Sequence, residues 1–330
     1  MSEIIQKRSE LVFLYDIRDG NPNGDPMDVN KPRMDEETGI NLVTDVRLKR
    51  TIRDYLHDSL GEEILIRTIL MEDGSSIQDA KARALDFLEV EEEESPETKI
   101  ENIGENILKK CIDTRLFGAT LPIEVKDGKK TKSSSFVRTG PVQFNMGRSL
   151  HQVEIKHIKG TGAFAATAGK GQKTFRDEYI LPYSLISFYG LINENTSKFT
   201  NLSEEDIRLL LQGIWKGTKG LITRSKMGQM PRLLLRVEYA EKDFHIGDLD
   251  KVIQLESEKE DVALRGPEDY TLELSSLVKK LQSATNKIHK IYHKVDEAIQ
   301  FTLDGKEVTL AEALQNAVED DQKLAEITFE

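Results

Sequence analysis

The glycine-rich segment 160–171 is the part of the chain that comes nearest to a phosphate-binding loop. A P-loop needs Ser or Thr directly after its Gly-Lys pair to hold magnesium, and Gly171 follows Gly169-Lys170 here. The third glycine of a dinucleotide-binding fingerprint is also absent. Phe164 could stack on a base, and the basic residues in or beside the segment are Lys156, His157, Lys159, Lys170, Lys173 and Arg176. The segment therefore suggests a basic loop lying along a nucleic-acid strand, with a mobile surface loop as the alternative.

Residues that could bind a metal give weaker signals. His289 and His293 are four residues apart on a predicted helix, but Lys290 stands where the zinc motif of metalloproteases has Glu. A pair of surface histidines is the simpler interpretation. Cys111 is the single cysteine, which excludes an internal disulfide and a multi-cysteine zinc site. The sequence therefore predicts no metal site and no cofactor.

Asp25 and Asp28 are the strongest remaining candidates for catalysis. An aspartate beside a bound phosphodiester could position a metal ion or a water for RNA cleavage. Asp25 lies between Gly24 and Pro26, however, and aspartates in such turns usually accept hydrogen bonds from turn amides. We expect this structural role.

Charge is distributed unevenly along the chain, although the net charge is −12. Residues 126–236 carry 19 Lys and Arg against 8 Asp and Glu, which gives +11. The segments on either side are acidic, at −12 for residues 1–125 and −11 for residues 237–330. Because the local field steers a polyanion, the central segment suggests a phosphate-binding surface, with a solvated surface as the alternative.

A basic helix is predicted directly after the polar loop Asn21-Pro22-Asn23-Gly24-Asp25-Pro26 and its extension. An apolar stripe repeats every fourth residue along it, at Leu48, Ile52, Leu56 and Leu60. Cations occupy the first turn and the face opposite the stripe, at Arg47, Lys49, Arg50 and Arg53. A polar loop beside a basic helix can offer backbone N–H groups and cations to the same phosphates.

Two further cationic clusters lie in the basic segment. Arg138 and Arg148 flank a polar stretch that contains Gln143, and Arg224, Lys226 and Arg232 surround a turn before a late strand. No aromatic motif typical of RNA-recognition sheets is present, so we expect contacts mainly with the sugar-phosphate backbone.

Apolar periodicity predicts a mixture of strands and helices. Strands are predicted at 10–18, 114–117, 136–144, 153–158, 178–188 and 233–239, and helices at 44–61, 76–110, 203–214 and 272–299. This order indicates an α+β sandwich of the ferredoxin-like kind. The chain has no apolar run long enough for a membrane span, and its first residues lack a secretory signal, so we expect it in the cytoplasm.

Several motifs together resemble a known family. They are Asn21-Pro22-Asn23-Gly24-Asp25-Pro26, Thr44-Asp45-Val46-Arg47-Leu48-Lys49-Arg50, Arg115-Leu116-Phe117-Gly118-Ala119, Gly140-Pro141-Val142-Gln143-Phe144 and Leu181-Pro182-Tyr183. In this order, from about residue 9 to about residue 240, they resemble the backbone subunit of type I CRISPR interference complexes (Cascade), with subtype I-B the nearest.

The resemblance implies an α+β fold with an RRM-like antiparallel sheet core, or palm, built from about 9–60, 112–150 and 178–240. It also implies a single large domain of 1–330 with a helical insertion at about 62–111, a basic thumb at about 151–176 and a C-terminal helical extension at about 241–330.

The resemblance further implies a non-catalytic subunit that binds guide RNA. Its partners would be other copies of itself in a helical filament, other Cascade subunits and the target DNA strand paired to the guide, with no membrane. Asn21, Asn23, Arg47, Lys49 and Arg50 would face the RNA backbone. The thumb would cross the guide and displace one base from pairing.

Two other functions stay open at this point. Related type III subunits cleave target RNA with an aspartate of their first loop, so a metal-dependent endoribonuclease using Asp25 or Asp28 is the main alternative. A small-molecule enzyme using the segment 160–171 is the third.

Overall fold

The computed structural model describes residues 3–70, 76–89, 94–127, 130–161, 175–318 and 320–329. Phe164, Lys170 and Lys173 of the predicted thumb lie outside these residues. Arg176 lies within a described strand. The RNA contacts proposed for the thumb therefore stay predictions.

The described part of the chain is a mixed α+β structure. Its helices are α1 (Asp45–Leu60), α2 (Ala80–Leu85), α3 (Pro96–Lys110), α4 (Ile112–Phe117), α5 (Glu194–Thr200), α6 (Glu204–Gln212), α7 (Ser275–Gln282) and α8 (Leu310–Val318). Its strands are β1 (Ser9–Gly20), β2 (Gly24–Asp25), β3 (Lys31–Pro32), β4 (Met34–Asp35), β5 (Ile40–Val43), β6 (Gly118–Asp127), β7 (Lys130–Thr139), β8 (Val142–Phe144), β9 (Gly147–Gln152), β10 (Lys156–Thr161), β11 (Phe175–Ile192), β12 (Met230–Tyr239), β13 (Gln254–Glu256), β14 (Thr271–Glu273), β15 (Ile288–Val295), β16 (Phe301–Leu303), β17 (Lys306–Val308) and β18 (Leu324–Glu326).

These elements form two compact units. The first unit comprises Met1–Arg8, Thr51–Gln143 and Leu191–Gly217, and the second comprises Ser9–Arg50, Phe144–Gly190 and Thr218–Glu330. In the first unit, helices α2 and α3 pack on the antiparallel hairpin of β6 and β7. Its core contains Phe87, Ile103, Ile107, Leu121 and Phe136.

The second unit is organised by a twisted sheet with strand order β18-β15-β12-β1-β11-β9-β5-β4. Strand β1 lies in the middle and is buried from Ser9 to Ile17, as its apolar residues on both faces predicted. Most of the pairs with a described register are antiparallel, whereas β15 with β18 and β14 with β16 are parallel. A core of residues from β1, β12, β14, α7 and α8 lies under this sheet.

Most of the strongly periodic segments are confirmed. The strand at 10–18, the helix after Thr44 and the strands at 178–188 and 233–239 are present with small shifts at their ends. Helix α6 begins as predicted at Ser203, whose hydroxyl accepts from the Asp206 amide while the Asp206 carboxylate accepts from the Ser203 amide. The helical segment 76–110 is interrupted before α3, which begins after the N-cap Ser95.

The predicted strand 114–117 is wrong, because these residues belong to helix α4. The buried Asp113 at the start of this helix accepts hydrogen bonds from the amides of Leu65 and Ile66, at 2.8 and 3.2 Å, and pairs with Arg53. A four-residue run with apolar residues does not distinguish a strand from a helical turn. The contacts of Asp113 with residues distant in the sequence favour the helix here.

The predicted helix 272–299 is also wrong. The segment contains β14, the short helix α7 and then strand β15. Strand β15 has the sequence IHKIYHKV, in which Ile, Val and Tyr favour a strand, and it pairs with β12 from Val295 to Ile288. Residues 241–330 are therefore not a helical extension: their described part has two helices and six strands. No helix in the ranges described has the length and apolar character to cross a bilayer.

His151 on β9 is a buried histidine with both ring nitrogens engaged. Its Nδ1 lies 2.9 Å from the carbonyl oxygen of Gln152, and its Nε2 accepts from the Leu185 amide at 3.2 Å. The ring stacks on Tyr183 with centroids 5.7 Å apart. Burial lowers the pKa of His151, because the charged imidazolium loses its hydration there. The neutral ring is therefore the form that the fold requires.

We expect this histidine to make the fold acid-sensitive. Because the pKa of His151 is lowered in the folded state, the unfolded chain binds the extra proton first as the pH falls below about 6.5. The free energy of unfolding should then fall by up to about 1.4 kcal/mol per pH unit from this group. Urea unfolding of His151→Asn between about pH 7.5 and about pH 5.5 should show a shallower pH dependence than the wild type. The exposed His245→Asn is the matched control, and an unchanged slope in His151→Asn would contradict the assignment.

Candidate nucleic-acid interface

The polar loop after β1 is a rigid turn built around Asp25. The Asp25 carbonyl oxygen accepts from the amides of Asp28 and Asn30, at 3.2 and 2.8 Å. Its carboxylate accepts from the Met27 amide at 3.0 Å through Oδ1 and from Arg33 Nη1 at 2.8 Å through Oδ2. The turn-forming role predicted for Asp25 is present in full.

Asn23 joins this loop to the start of helix α1. Its Oδ1 accepts from both the amide and the hydroxyl of Thr44, at 2.9 Å each. The Thr44 hydroxyl in turn accepts from the Arg47 amide at 3.3 Å, which makes Thr44 the N-cap. Asn23 is therefore a positioning residue for the helix, and its amide oxygen already has its partners.

Asn21 joins the loop to the turn that precedes β12. Its side chain is buried. Its backbone amide donates to the Ser225 carbonyl at 2.7 Å, and its side-chain Nδ2 donates to the Asn30 carbonyl at 2.7 Å. The Lys226 ammonium donates to the Asn21 carbonyl at 3.2 Å. We call these contacts of Asn21 with Ser225, Asn30 and Lys226 the loop clasp. Asn21 is thus a buried residue that holds the loop against the turn before β12.

The Lys226 ammonium, which the clasp holds at the Asn21 carbonyl, is affected by the charge of Arg47. Lys226 is half-buried, and its pKa is lowered first by burial and then by the charge of Arg47. The two positive charges repel each other, which disfavours the charged form of Lys226. An anion between them would relieve the repulsion.

The remaining cations of helix α1 differ in their surroundings. Lys49 pairs with Asp45 at 3.0 Å and its side chain is only 13% exposed, whereas Arg50 is exposed. Arg53 pairs at 2.9 Å with the fully buried Asp113 and lies over the Phe117 ring. The structure therefore gives Arg53 a folding role that the helical face alone did not reveal.

Four further predicted binding residues are exposed, two in each unit. In the first unit, Arg138 lies over the Phe136 ring and Gln143 donates to the Gly140 carbonyl. In the second unit, Arg148 pairs with Asp35 at 3.3 Å and Arg224 pairs with Glu178 at 2.7 Å. Surface pairs of this kind are weak, so their cations can exchange partners for phosphate.

Arg232 is a predicted binding residue that is buried in the structure. It is 9% exposed, donates to Asp16 at 2.9 Å and also pairs with Asp296. Asp16 accepts a further hydrogen bond from the Tyr183 hydroxyl at 2.8 Å. The structure gives Arg232 a folding role, because its guanidinium compensates a buried carboxylate, and an RNA contact at Arg232 stays a prediction.

Asp25 and Asp28 each form an ion pair with a basic residue of the same loop. Asp25 pairs with Arg33, and Asp28 pairs with Lys31 at 2.9 Å. No group of three or more acidic, histidine or cysteine ligands occurs within the described ranges, and His289 and His293 lie on strand β15 rather than on a helix.

A pocket of about 520 Å³ opens beside the loop, and sequence reasoning missed it. Its polar lining comes from Asp25, Asp28, Lys31 and Arg33, and its aromatic lining from His157 and Tyr179. Of these residues, the sequence singles out His157 only as a basic residue, and it gives no signal for Tyr179. The signal that could have found them is the pairing of β10 with β11, which sets His157 opposite Tyr179.

Comparison with known proteins identifies the family. Residues 7–275 match the family described as CRISPR-associated protein Cas7. A protein of Haloferax volcanii with the same description is 33% identical over 297 residues, which cover 86% of each chain. This chain belongs to the Cas7 family. The family resemblance drawn from the sequence motifs is thereby confirmed, and the subtype I-B stays a prediction.

The fold of this Cas7-family chain is similar to that of a solved chain described as "CRISPR RNA-guided surveillance complex, pre-nicking". The TM-score is 0.53 at 13% identity, and the match covers 88% of this chain and 92% of that chain. At this identity the similarity concerns the fold alone. It agrees with the mixed α+β architecture, in which most strands pair antiparallel.

The different roles of Arg232 and Arg224 can be separated by substitution. We expect Arg232→Met to lower the free energy of unfolding by about 3 kcal/mol, because Asp16 would remain buried without its main cation. Arg224→Met, which removes an exposed pair, should change it by less than about 0.5 kcal/mol. Urea unfolding measures both values. A stable Arg232→Met protein with weakened RNA binding would instead restore Arg232 to the binding surface.

Proposed function

We propose that this chain is a non-catalytic guide-RNA-binding backbone subunit of a type I, I-B-like CRISPR interference complex. Family membership and the similarity in fold to a subunit of an RNA-guided surveillance complex support a backbone role. The observation that carries RNA binding is the Lys226 ammonium, which the loop clasp holds at the Asn21 carbonyl and on which the positive charge of Arg47 acts. Repulsion between two fixed cations is relieved by a phosphodiester.

The site suits the backbone of RNA rather than particular bases. Asn21 and Asn23 fix the loop and the start of α1, so that Arg47 and Lys226 meet a phosphate without first being ordered. Arg50, Arg148 and Arg224 are exposed on the same unit and can extend the contact along a strand. Contacts of this kind hold any sequence equally well.

The proposal includes an architecture and a set of partners. An RRM-like palm of about 9–60, 112–150 and 178–240 would carry the RNA, with a helical insertion at 62–111 and a thumb at 151–176 crossing it. Other copies of this chain would bind side by side along the guide, together with other Cascade subunits and the target DNA strand paired to the guide. The basic composition of residues 126–236 supports this reading.

The cation pair can be tested by RNA binding. We expect Arg47→Ala and Lys226→Ala each to weaken binding of single-stranded RNA about 5-fold to 30-fold, because each loses a phosphate contact. Each should also reduce the slope of log affinity against log salt by about 0.7. Fluorescence anisotropy with two RNAs of unrelated sequence gives both quantities.

Lys251→Ala is the matched control for these variants. Lys251 is an exposed lysine that pairs with Asp248, so its loss should leave RNA affinity unchanged. Equal losses for the two RNAs support backbone recognition. Binding that ignores salt, or variants that lose only one RNA, would contradict the proposed function.

The endoribonuclease alternative makes an opposite prediction about cleavage. Because Asp25 and Asp28 are paired with Arg33 and Lys31, we expect the protein to leave labelled RNA intact in the presence of Mg²⁺ or Mn²⁺. The measurement is cleavage over time on a denaturing gel, with wild type beside the Asp25→Asn/Asp28→Asn double variant. Cleavage by the wild type that the double variant loses would establish the alternative and end the scaffold proposal.

A further inference from the structure

Strand β15 presents two lysines and a tyrosine on one face of the sheet. On the helix predicted for this segment, Tyr292 would point away from Lys290 and Lys294. On a strand the three residues occupy alternate positions, so their side chains lie on the same face. The opposite face carries Ile291, which belongs to the core. We call the face with Lys290, Tyr292 and Lys294 the lysine face.

Cations and aromatic rings are interleaved on the lysine face. The Lys290 ammonium lies 5.7 Å from the centre of the Tyr292 ring, and the Arg236 guanidinium carbon lies 5.2 Å from it. The Lys294 ammonium lies 5.3 Å from the centre of the Phe329 ring. The two lysines and the two aromatic residues are partly exposed. Surfaces that bind single-stranded nucleic acids combine cations and accessible rings in this way.

The carboxylate beside the lysine face is compensated within the fold. Glu238 is paired in register with Lys290, but its side chain is buried and accepts from Arg236 at 2.8 Å. Its other carboxylate oxygen lies 3.5 Å from the Nε2 atom of the exposed His289. Among the residues that the structure describes, the Lys290 ammonium is in contact with the Tyr292 ring and forms no ion pair. The lysine face therefore keeps a positive charge.

The sequence concentrates positive charge in this segment. Residues 274–295 contain five lysines and two histidines but no Asp or Glu. Residues 237–330 as a whole carry 11 Lys and Arg against 22 Asp and Glu. Because a polyanion responds to the local field rather than to the net charge, an acidic part of the chain can still bind one. The interleaved rings favour a nucleic acid over an acidic polypeptide as this polyanion.

The lysine face is also distant from the loop clasp. The clasp holds the turn that precedes Met230, whereas Lys290 lies beside Glu238 near the other end of β12. The residues from Met230 to Glu238 span about 27 Å of an extended strand. A ligand at Lys290 therefore does not need the phosphate that is proposed to bind at Lys226.

We propose that the lysine face is a second nucleic-acid site, which binds a single strand other than the one held at the loop clasp. Lys290 and Lys294, about 13 Å apart along the strand, contact its phosphates, and Tyr292 contacts its sugars or bases. RNA and single-stranded DNA share this backbone chemistry, so the test compares the two. The site goes beyond the proposed function and does not depend on it.

The first test measures affinity in the full chain with the clasp site weakened by Lys226→Ala. Fluorescence anisotropy follows the binding of labelled RNA and DNA single strands of about 15 nucleotides. In this background we expect Lys290→Ala to weaken binding at least about 5-fold, because a phosphate contact is lost. Lys290→Arg should keep the affinity within about 2-fold, because it keeps the charge. The strand that binds more tightly identifies the ligand as DNA or RNA.

Lys279→Ala is the matched control. Lys279 is an exposed lysine of the same acid-free segment, but it lies on helix α7 and pairs with Asp304 at 3.9 Å. Its loss should leave the affinity unchanged. Lys294 is less suitable for substitution, because its ammonium also donates to the Ile327 carbonyl at 3.2 Å and so holds the end of the chain.

The second test locates the bound strand by photo-cross-linking. Single strands that contain 5-iodouracil are irradiated with the full chain, and cross-linked peptides are mapped by mass spectrometry. We expect a cross-link on Tyr292 that falls at least about 5-fold in Tyr292→Leu. Urea unfolding of Tyr292→Leu and Lys290→Ala verifies that both variants are folded.

Each outcome decides the inference independently of the proposed function. Equal losses in Lys279→Ala and Lys290→Ala, or cross-links that avoid β15, would show that the lysine face is not a site. If poly-glutamate binds through Lys290 and neither RNA nor DNA does, the face serves an acidic polypeptide and the proposal is wrong. If binding depends on Lys290 but not on Arg47 or Lys226, the clasp site fails and the lysine face stands.

Discussion

The main chain of Asn21 is tied on both sides to the turn before β12, and the geometry of the basic surface depends on this tie. Its amide donates to Ser225 and its carbonyl accepts from Lys226, while its side chain reaches Asn30. Asn21 also follows directly on β1, a central strand of the sheet, so its hydrogen bonds connect the turn before β12 to the core. The Lys226 ammonium lies at the Asn21 carbonyl because of it, and the charge of Arg47 acts on this ammonium. A small buried amide therefore organises the cations of the proposed phosphate site.

The arginines of the chain divide between folding and binding. Arg53 and Arg232 compensate the buried carboxylates Asp113 and Asp16, and Arg236 pairs with the buried Glu238. Such pairs are costly to break because one charge would remain in a poorly solvated place. Exposed pairs such as Arg224 with Glu178 hold their cations loosely. A net acidic protein can therefore keep a local surface available for phosphate.

Much of the fold followed from local patterns, and much of the site did not. Strand β1 was predictable because apolar residues on both of its faces follow one another in the sequence. Helix α6 was predictable because the residues of its capping box, Ser203 and Asp206, are only three positions apart. The burial of Arg232 was not predictable, because its partner Asp16 lies 216 positions away in the chain. The ring pair of His157 and Tyr179 needed the register of β10 on β11, which periodicity does not supply. The aspartate of the loop had been assigned its turn role from the residues Gly24 and Pro26 alone.

The way Asp25 uses its oxygen atoms affects how related sequences should be compared. Its carbonyl and both carboxylate oxygens are engaged in closing the loop, so selection for folding alone can keep an aspartate at this position. A substitution of Asp25 would remove contacts that close the loop and would be selected against even in a protein that never cuts RNA. An aspartate at this point of the chain is therefore a poor marker of cleavage among relatives. The absence of a neighbouring cation such as Arg33 would be the more informative sign.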